Sequence, residues 1–113
     1  PSEHDVRVTI TERHCEVPSK VLERTERQMA ALVKFENRAS HAEVVYSEEK
    51  RSRRVEAVVS IDGAPPVAAH GEGEEWRSAL DQVVERLRRL LRDGRKQRRD
   101  HKAPPLSEGV VGE

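Results

Sequence analysis

The chain has 113 residues in which 21 Lys or Arg balance 21 Asp or Glu, and a formal net charge of zero argues against indiscriminate coating of nucleic acid. One cysteine, Cys15, excludes an internal disulfide, and three aromatics, Phe35, Tyr46 and Trp76, are too few for a surface that reads single strands by stacking. Nothing reads as a secretory signal or as an apolar run long enough to cross a membrane, so one compact cytosolic domain is expected.

In chain order, Val6, Val8 and Ile10 alternate with Arg7, Thr9 and Thr11, the period of two that predicts a strand with one buried face. Val17-Pro18-Ser19 then opens a helix, since proline is tolerated in a first turn where its missing N–H is not needed. Val21, Leu22, Thr25, Met29, Leu32 and Val33 share an arc of about 120°, and the helix should end between Phe35 and Arg38. Lys20, Arg24, Arg27, Lys34 and Arg38 lie on the arc away from that face, with Glu23 and Glu26 to one side.

His41 to Ser47 and Arg54 to Ile61 read as strands, the second alternating Val55, Ala57, Val59 and Ile61 against Arg54, Glu56, Val58 and Ser60. The charged run between them is a hairpin connection, and Asp62-Gly63 is a tight-turn signal extended by Ala64-Pro65-Pro66. Val67 to Glu72 forms a fourth strand. Gly71-Glu72-Gly73 breaks it and leads into acids at the start of the next helix, where the helix dipole favours negative charge.

Glu74 to Lys102 combines a hydrophobic period with a charge pattern. At about 100° per residue, Trp76, Leu80, Val83, Val84, Leu87, Leu90 and Leu91 fall within an arc of about 120°, the mark of a helix docked on a core. Arg77, Arg88, Arg92, Arg95 and Arg99 occupy the neighbouring arc, with Arg89 and Lys96 just beyond. Gly94 leaves the helix end open between Leu91 and Arg99. The order β-α-β-β-β-α predicts an α+β domain over residues 1–102 with one core formed by Val8, Ile10, Leu22, Met29, Leu32, Val45, Val59, Leu80, Val84, Leu87 and Leu91. Residues 103–113, rich in proline and glycine, read as a disordered tail or truncated linker that adds nothing to folding.

Residues 86 to 102 hold nine Lys or Arg against two Asp, so a segment of +7 is offset by −7 elsewhere. A solvated helix face would carry Glu-Lys pairs four residues apart, and from Arg86 onward such pairs are missing, which favours a phosphate partner over simple solvation. For Lys50-Arg51-Ser52-Arg53-Arg54, a soluble hairpin tip and an auxiliary RNA contact both remain open. His14-Cys15 and the histidines at 4, 41, 70 and 101 lack metal-ligand spacing, and no phosphate loop, paired-carboxylate signature or nucleophile elbow occurs. The expectation is a non-enzymatic binding protein with no metal, cofactor or small-molecule substrate.

The order of elements and the run from Ala69 to Asp81, Ala-His-Gly-Glu-Gly-Glu-Glu-Trp-Arg-Ser-Ala-Leu-Asp, resemble the ribosome hibernation-promoting factor family, also called ribosome-associated inhibitor or sigma-54 modulation proteins. Glu16-Val17-Pro18, Leu32 with Phe35, Asp62-Gly63, and Arg86-Leu87 with Arg89 fit as well, whereas Arg77 stands where that family usually has tyrosine. The resemblance implies a four-stranded sheet with two helices packed on one face, similar to double-stranded RNA-binding domains. It further implies binding to rRNA of the small ribosomal subunit in the decoding region, with ribosomal proteins as further partners, so that tRNA and mRNA are blocked and idle ribosomes stay inactive. The RNA-binding residues would be Lys20, Arg24, Arg27 and Lys34 of the first helix and Arg86, Arg88, Arg89, Arg92, Arg95, Lys96 and Arg99 of the second. The alternative is a protein-interaction or dimerisation module using the amphipathic helices or a sheet edge.

Overall fold

The structure, a computed structural model, describes residues 6–100, with backbone only for Val33 and residues 95–100. The elements are β1 (Arg7–Arg13), α1 (Ser19–Ala31) continuing into a 3-10 turn (Leu32–Lys34), β2 (Ala39–Glu49), β3 (Ser52–Ile61), β4 (Ala64–Gly73) and α2 (Trp76–Asp100). This is the β-α-β-β-β-α order expected of the sequence, an α+β fold. The strands form one sheet in the order β1-β2-β3-β4, with β1 parallel to β2 and the other pairs antiparallel. A parallel pair needs a crossover, which α1 supplies, whereas the two hairpins need only turns.

Those turns are tighter than the sequence suggests. Glu49 pairs with Ser52 across Lys50-Arg51, and Ile61 pairs with Ala64 across Asp62-Gly63, so charged residues expected in a connection lie in strands. Gly63 adopts φ 77, a left-handed backbone that costs glycine little. Pro65 and Pro66 belong to β4 rather than to the turn; they sit at the register shift between the Val59–Val67 and Ile61–Ala64 pairs, a bulge on an edge strand where missing N–H groups disturb the ladder least. At the other end α2 runs through Gly94 to Asp100, just past the Leu91-to-Arg99 interval predicted for its end.

Both helices cover the same face of the sheet. The core joins Met29 and Leu32 of the α1 segment, Ala42, Val44 and Tyr46 of β2, Val55, Ala57, Val59 and Ile61 of β3, and Trp76, Ala79, Leu80, Val83, Val84, Leu87 and Leu91 of α2. Val8, Ile10 and Leu22 pack against it half-buried. Val45, expected in the core, sits on the opposite face, because Val44 and Tyr46 take the inward parity and a strand shows alternate residues to alternate faces. Leu90, at the margin of its helix's apolar arc, is 42% exposed and lies outside the core.

Tyr46 explains the choice of parity. Its ring meets Trp76 edge-on at 5.4 Å and 76°, and its hydroxyl donates to Thr25 Oγ1, which donates in turn to the Val21 carbonyl at 2.7 Å. The phenol is therefore buried with its hydrogen bond satisfied, the condition for placing tyrosine in a core. Burial pushes its pKa up, the Thr25 bond opposing only in part. Because the folded state holds the proton more tightly, stability is intact below the unfolded phenol's value of about 10 and falls as pH rises through the folded value. Urea midpoints measured across alkaline pH should therefore decline, and Tyr46→Phe should remove part of that slope. An identical slope in the variant would mean that Tyr46 does not couple to folding.

Two contacts fix α2 on β4. A Cβ at Gly71 would collide with the Ala79 backbone carbonyl oxygen and lie 2.9 Å from Gln82 Cβ, so helix and strand approach closely only because this side chain is absent. Beside it, the Gln82 amide donates to the Glu72 carbonyl at 2.9 Å and accepts from the Glu72 N–H at 3.3 Å, pairing as a neighbouring strand would. One turn on, the Arg86 guanidinium donates to the His70 carbonyl. By alternation Ala68 points the same way, and beyond it the bulge at Pro65-Pro66 has no N–H to offer.

Candidate nucleic-acid interface

The described cations of α1 and α2, Arg86 excepted, lie on the sides of the helices turned away from the sheet, because the apolar arcs are spent on the core. On α1, Lys20 and Arg27 are exposed, as is Lys34 in the following 3-10 turn, and none has an acid partner among the described residues. Arg24 is half-buried and reaches across to Asp81 of α2, with Nη2 3.1 Å from Oδ1. Arg38 turns to Glu36 at 3.4 Å and so leaves the group.

On α2 the predicted stripe divides. Arg88 donates from Nη2 to Glu85 Oε1 at 2.6 Å and lies over Phe35, 5.9 Å from the ring centroid. Arg89 reaches the other oxygen of Glu85 at 3.6 Å. The hydrogen bond and charge of Arg88, followed by the charges of Arg89 and Arg92, hold the Glu85 carboxyl below its usual range, so it stays ionised at neutral pH. Arg92 is exposed and forms no ion pair with a described acid, its charge reaching Glu85 only at longer range, whereas Arg86 points to the β4 edge. Arg95, Lys96 and Arg99 continue the helix, but their side chains lie outside the described residues.

The pairing expected to be missing from Arg86 onward is thus partly supplied by Glu85, one residue upstream of the counted stretch. Its spacing of three and four from Arg88 and Arg89 was the available signal. The Arg24–Asp81 bond had none, because it joins residues 57 apart in sequence through helix packing.

The hairpin tip carries less free charge than its sequence shows. Arg53 lies over Trp76 at 5.4 Å and meets Glu48 at 3.6 Å. Arg54 bonds Glu72 at 2.7 Å and Glu56 at 2.9 Å, hydrogen bonds that raise its pKa further. The sheet face away from the helices presents Glu43, Glu56 and Glu72 around Val45 and Val58, the latter 40% exposed. Exposed cations without an ion pair to a described acid thus include Lys20, Arg27, Lys34, Arg77 and Arg92 of the helix layer, Lys50 and Arg51 at the hairpin tip and Arg7 and Arg13 of β1, while Glu56 and Glu72 of the sheet face are paired by Arg54. Among the described residues no three His, Cys, Asp or Glu converge as metal ligands, and no helix is long and apolar enough to cross a membrane.

Fold and charge layout define the class as an α+β domain with a cationic helix layer over a mixed sheet. The chain belongs to the sigma 54 modulation protein / S30EA ribosomal protein family, a ribosome-associated family whose model matches residues 8–99. Two solved structures are similar in fold. One is a ribosomal subunit interface protein from Coxiella burnetii, with a TM-score of 0.71 and 17% identity over 80% of this chain and 99% of the other. The second is the N-terminal domain of Protein Y from Thermus thermophilus, with a TM-score of 0.68 and 22% identity over 80% of this chain and 98% of the other. Comparison with curated proteins gives no match.

Proposed function

We propose that the protein binds the small ribosomal subunit through the outer surface of its helix layer, docks on rRNA phosphates of the decoding region, and excludes tRNA and mRNA so that idle ribosomes stay inactive. The observation that carries this reading is the set of exposed cations, Lys20, Arg27, Lys34 and Arg92, without ion pairs to acids among the described residues. Like charges held together on one surface are relieved by a polyanion. Arg24, Arg88 and Arg89 extend the set, and Arg95, Lys96 and Arg99 continue it along the same helix.

Family membership supplies the ribosome as partner, and the Coxiella burnetii relative is described as a subunit interface protein. The protein acts as a stoichiometric block in the cytoplasm and catalyses no reaction. Closure of the β4 edge by Gln82 and Arg86 weighs against dimerisation through that edge.

Co-sedimentation with purified ribosomes across a salt series tests the reading. Four phosphates neutralised by the four cations without ion pairs give a log-log slope of about −3, from about −0.7 to −0.9 per phosphate, and further contacts make it steeper. A flat salt response, or sedimentation with the large subunit alone, would sink the proposal.

A further inference from the structure

We infer that Asp81 and Glu85 determine specificity on this surface, acting through the arginines they hold. The inference rests on the ribosomal reading and names residues that its charge count leaves out. Asp81 and Glu85 are four residues apart on α2, hence neighbours on one face of the helix. Asp81 fixes Arg24 of α1 at 3.1 Å. Glu85 holds two arginines, one on each oxygen, with Arg88 at 2.6 Å and Arg89 at 3.6 Å. Phe35 braces Arg88 from the side of α1.

These contacts have opposite effects on two kinds of ligand. A mobile or unstructured polyanion approaching the helix layer meets two carboxylates among the cations, and Arg24, Arg88 and Arg89 offer it little net charge. A rigid RNA surface whose phosphates match the aimed guanidiniums meets a different situation. Each guanidinium has five N–H donors in a planar fork, so it can keep its carboxylate on one edge and take a phosphate on another. Its orientation is already fixed, and less side-chain freedom is lost on binding. The acids thus penalise the wrong ligand more than the right one, the repulsive element that discrimination requires.

The test compares two probes, ribosomes and unstructured poly-uridine RNA, at one salt concentration. Glu85→Gln keeps the shape of the side chain and an acceptor oxygen while removing the charge, and Asp81→Asn does the same for Arg24. Each variant should bind poly-uridine about three- to fivefold more tightly, the scale of one exposed charge interaction. Ribosome affinity should change by less than a factor of about two, so the ratio of the two affinities falls. Glu43→Gln, on the opposite face of the sheet, should leave both affinities unchanged. Equal tightening toward both probes would reduce the acids to generic charge and overturn the inference, as would no change toward either. If wild type fails to bind ribosomes, the ribosomal reading itself fails. Intact wild-type binding with an unchanged ratio removes only the role of the two acids.

Discussion

Gly71→Ala is expected to destabilise the domain by about 3 kcal/mol, the upper range for forcing one extra carbon into a packed site. The added methyl would strike the Ala79 carbonyl oxygen, a backbone atom inside α2 that cannot rotate aside, and would press on Gln82 Cβ at 2.9 Å. Relief requires lifting the helix from β4, which would also loosen Leu80, Val83 and Leu87 in the core. Gly73→Ala is the matched control, since its Cβ would meet Ser78 at 3.9 Å, an ordinary contact. That change should stay within about 1 kcal/mol of wild type. Urea denaturation of the two variants side by side decides the matter. Equal stabilities would show that the helix can shift without loss.

The second large effect concerns binding. Arg27→Glu combined with Arg92→Glu should weaken ribosome binding roughly a hundredfold at fixed salt, since two charge-assisted contacts contribute about 1.5 kcal/mol or more each. The salt slope should flatten by about 1.5, two phosphates' share. Neither residue forms an ion pair with an acid among the described residues and both are exposed, so the fold should persist and the melting temperature should hold within a few degrees. Reversing Arg53 and Arg54 instead would mix two effects, because both are bound into the structure through Trp76, Glu48, Glu56 and Glu72. Wild-type affinity in the Arg27/Arg92 variant would make the helix surface a solvated face. The protein-interaction reading would then take its place.

The elements and their order were legible because each carries a strong period. β3 alternates Val55, Ala57, Val59 and Ile61 with mostly polar residues, and α2 repeats its leucines at helical spacing from Leu80 to Leu91. β2 was readable as a strand but not in parity: Val44 and Val45 are equivalent to any count of hydrophobicity, and what separates them is the partner that Tyr46 finds in Thr25 of another element. Leu90 marks the same limit in a helix, since an arc of about 120° includes its margins and the neighbouring strand decides which margin is covered.

The candidate surface was legible as a set of cations and illegible as an arrangement. Sequence spacing shows that Arg86, Arg88 and Arg89 share a helix, but one of them bonds the edge of β4 and the other two share Glu85. Arg24 meets Asp81 only after both helices have docked on the sheet. Such pairings belong to tertiary packing and leave no local trace in the chain.

The Gln82 amide, laid against both backbone groups of Glu72, limits how copies of this molecule could join. Open-ended growth by sheet addition needs two receptive borders on every subunit, one to accept and one to be accepted. On the β4 side, the side-chain amide occupies one residue, Arg86 takes the next outward carbonyl, and neither Pro65 nor Pro66 at the bulge has an N–H, so too short a stretch remains for a strand to register. Only the β1 border is left. A chain with a single usable border can pair once and then stop, so accidental stitching ends at two copies and cannot propagate into a fibre.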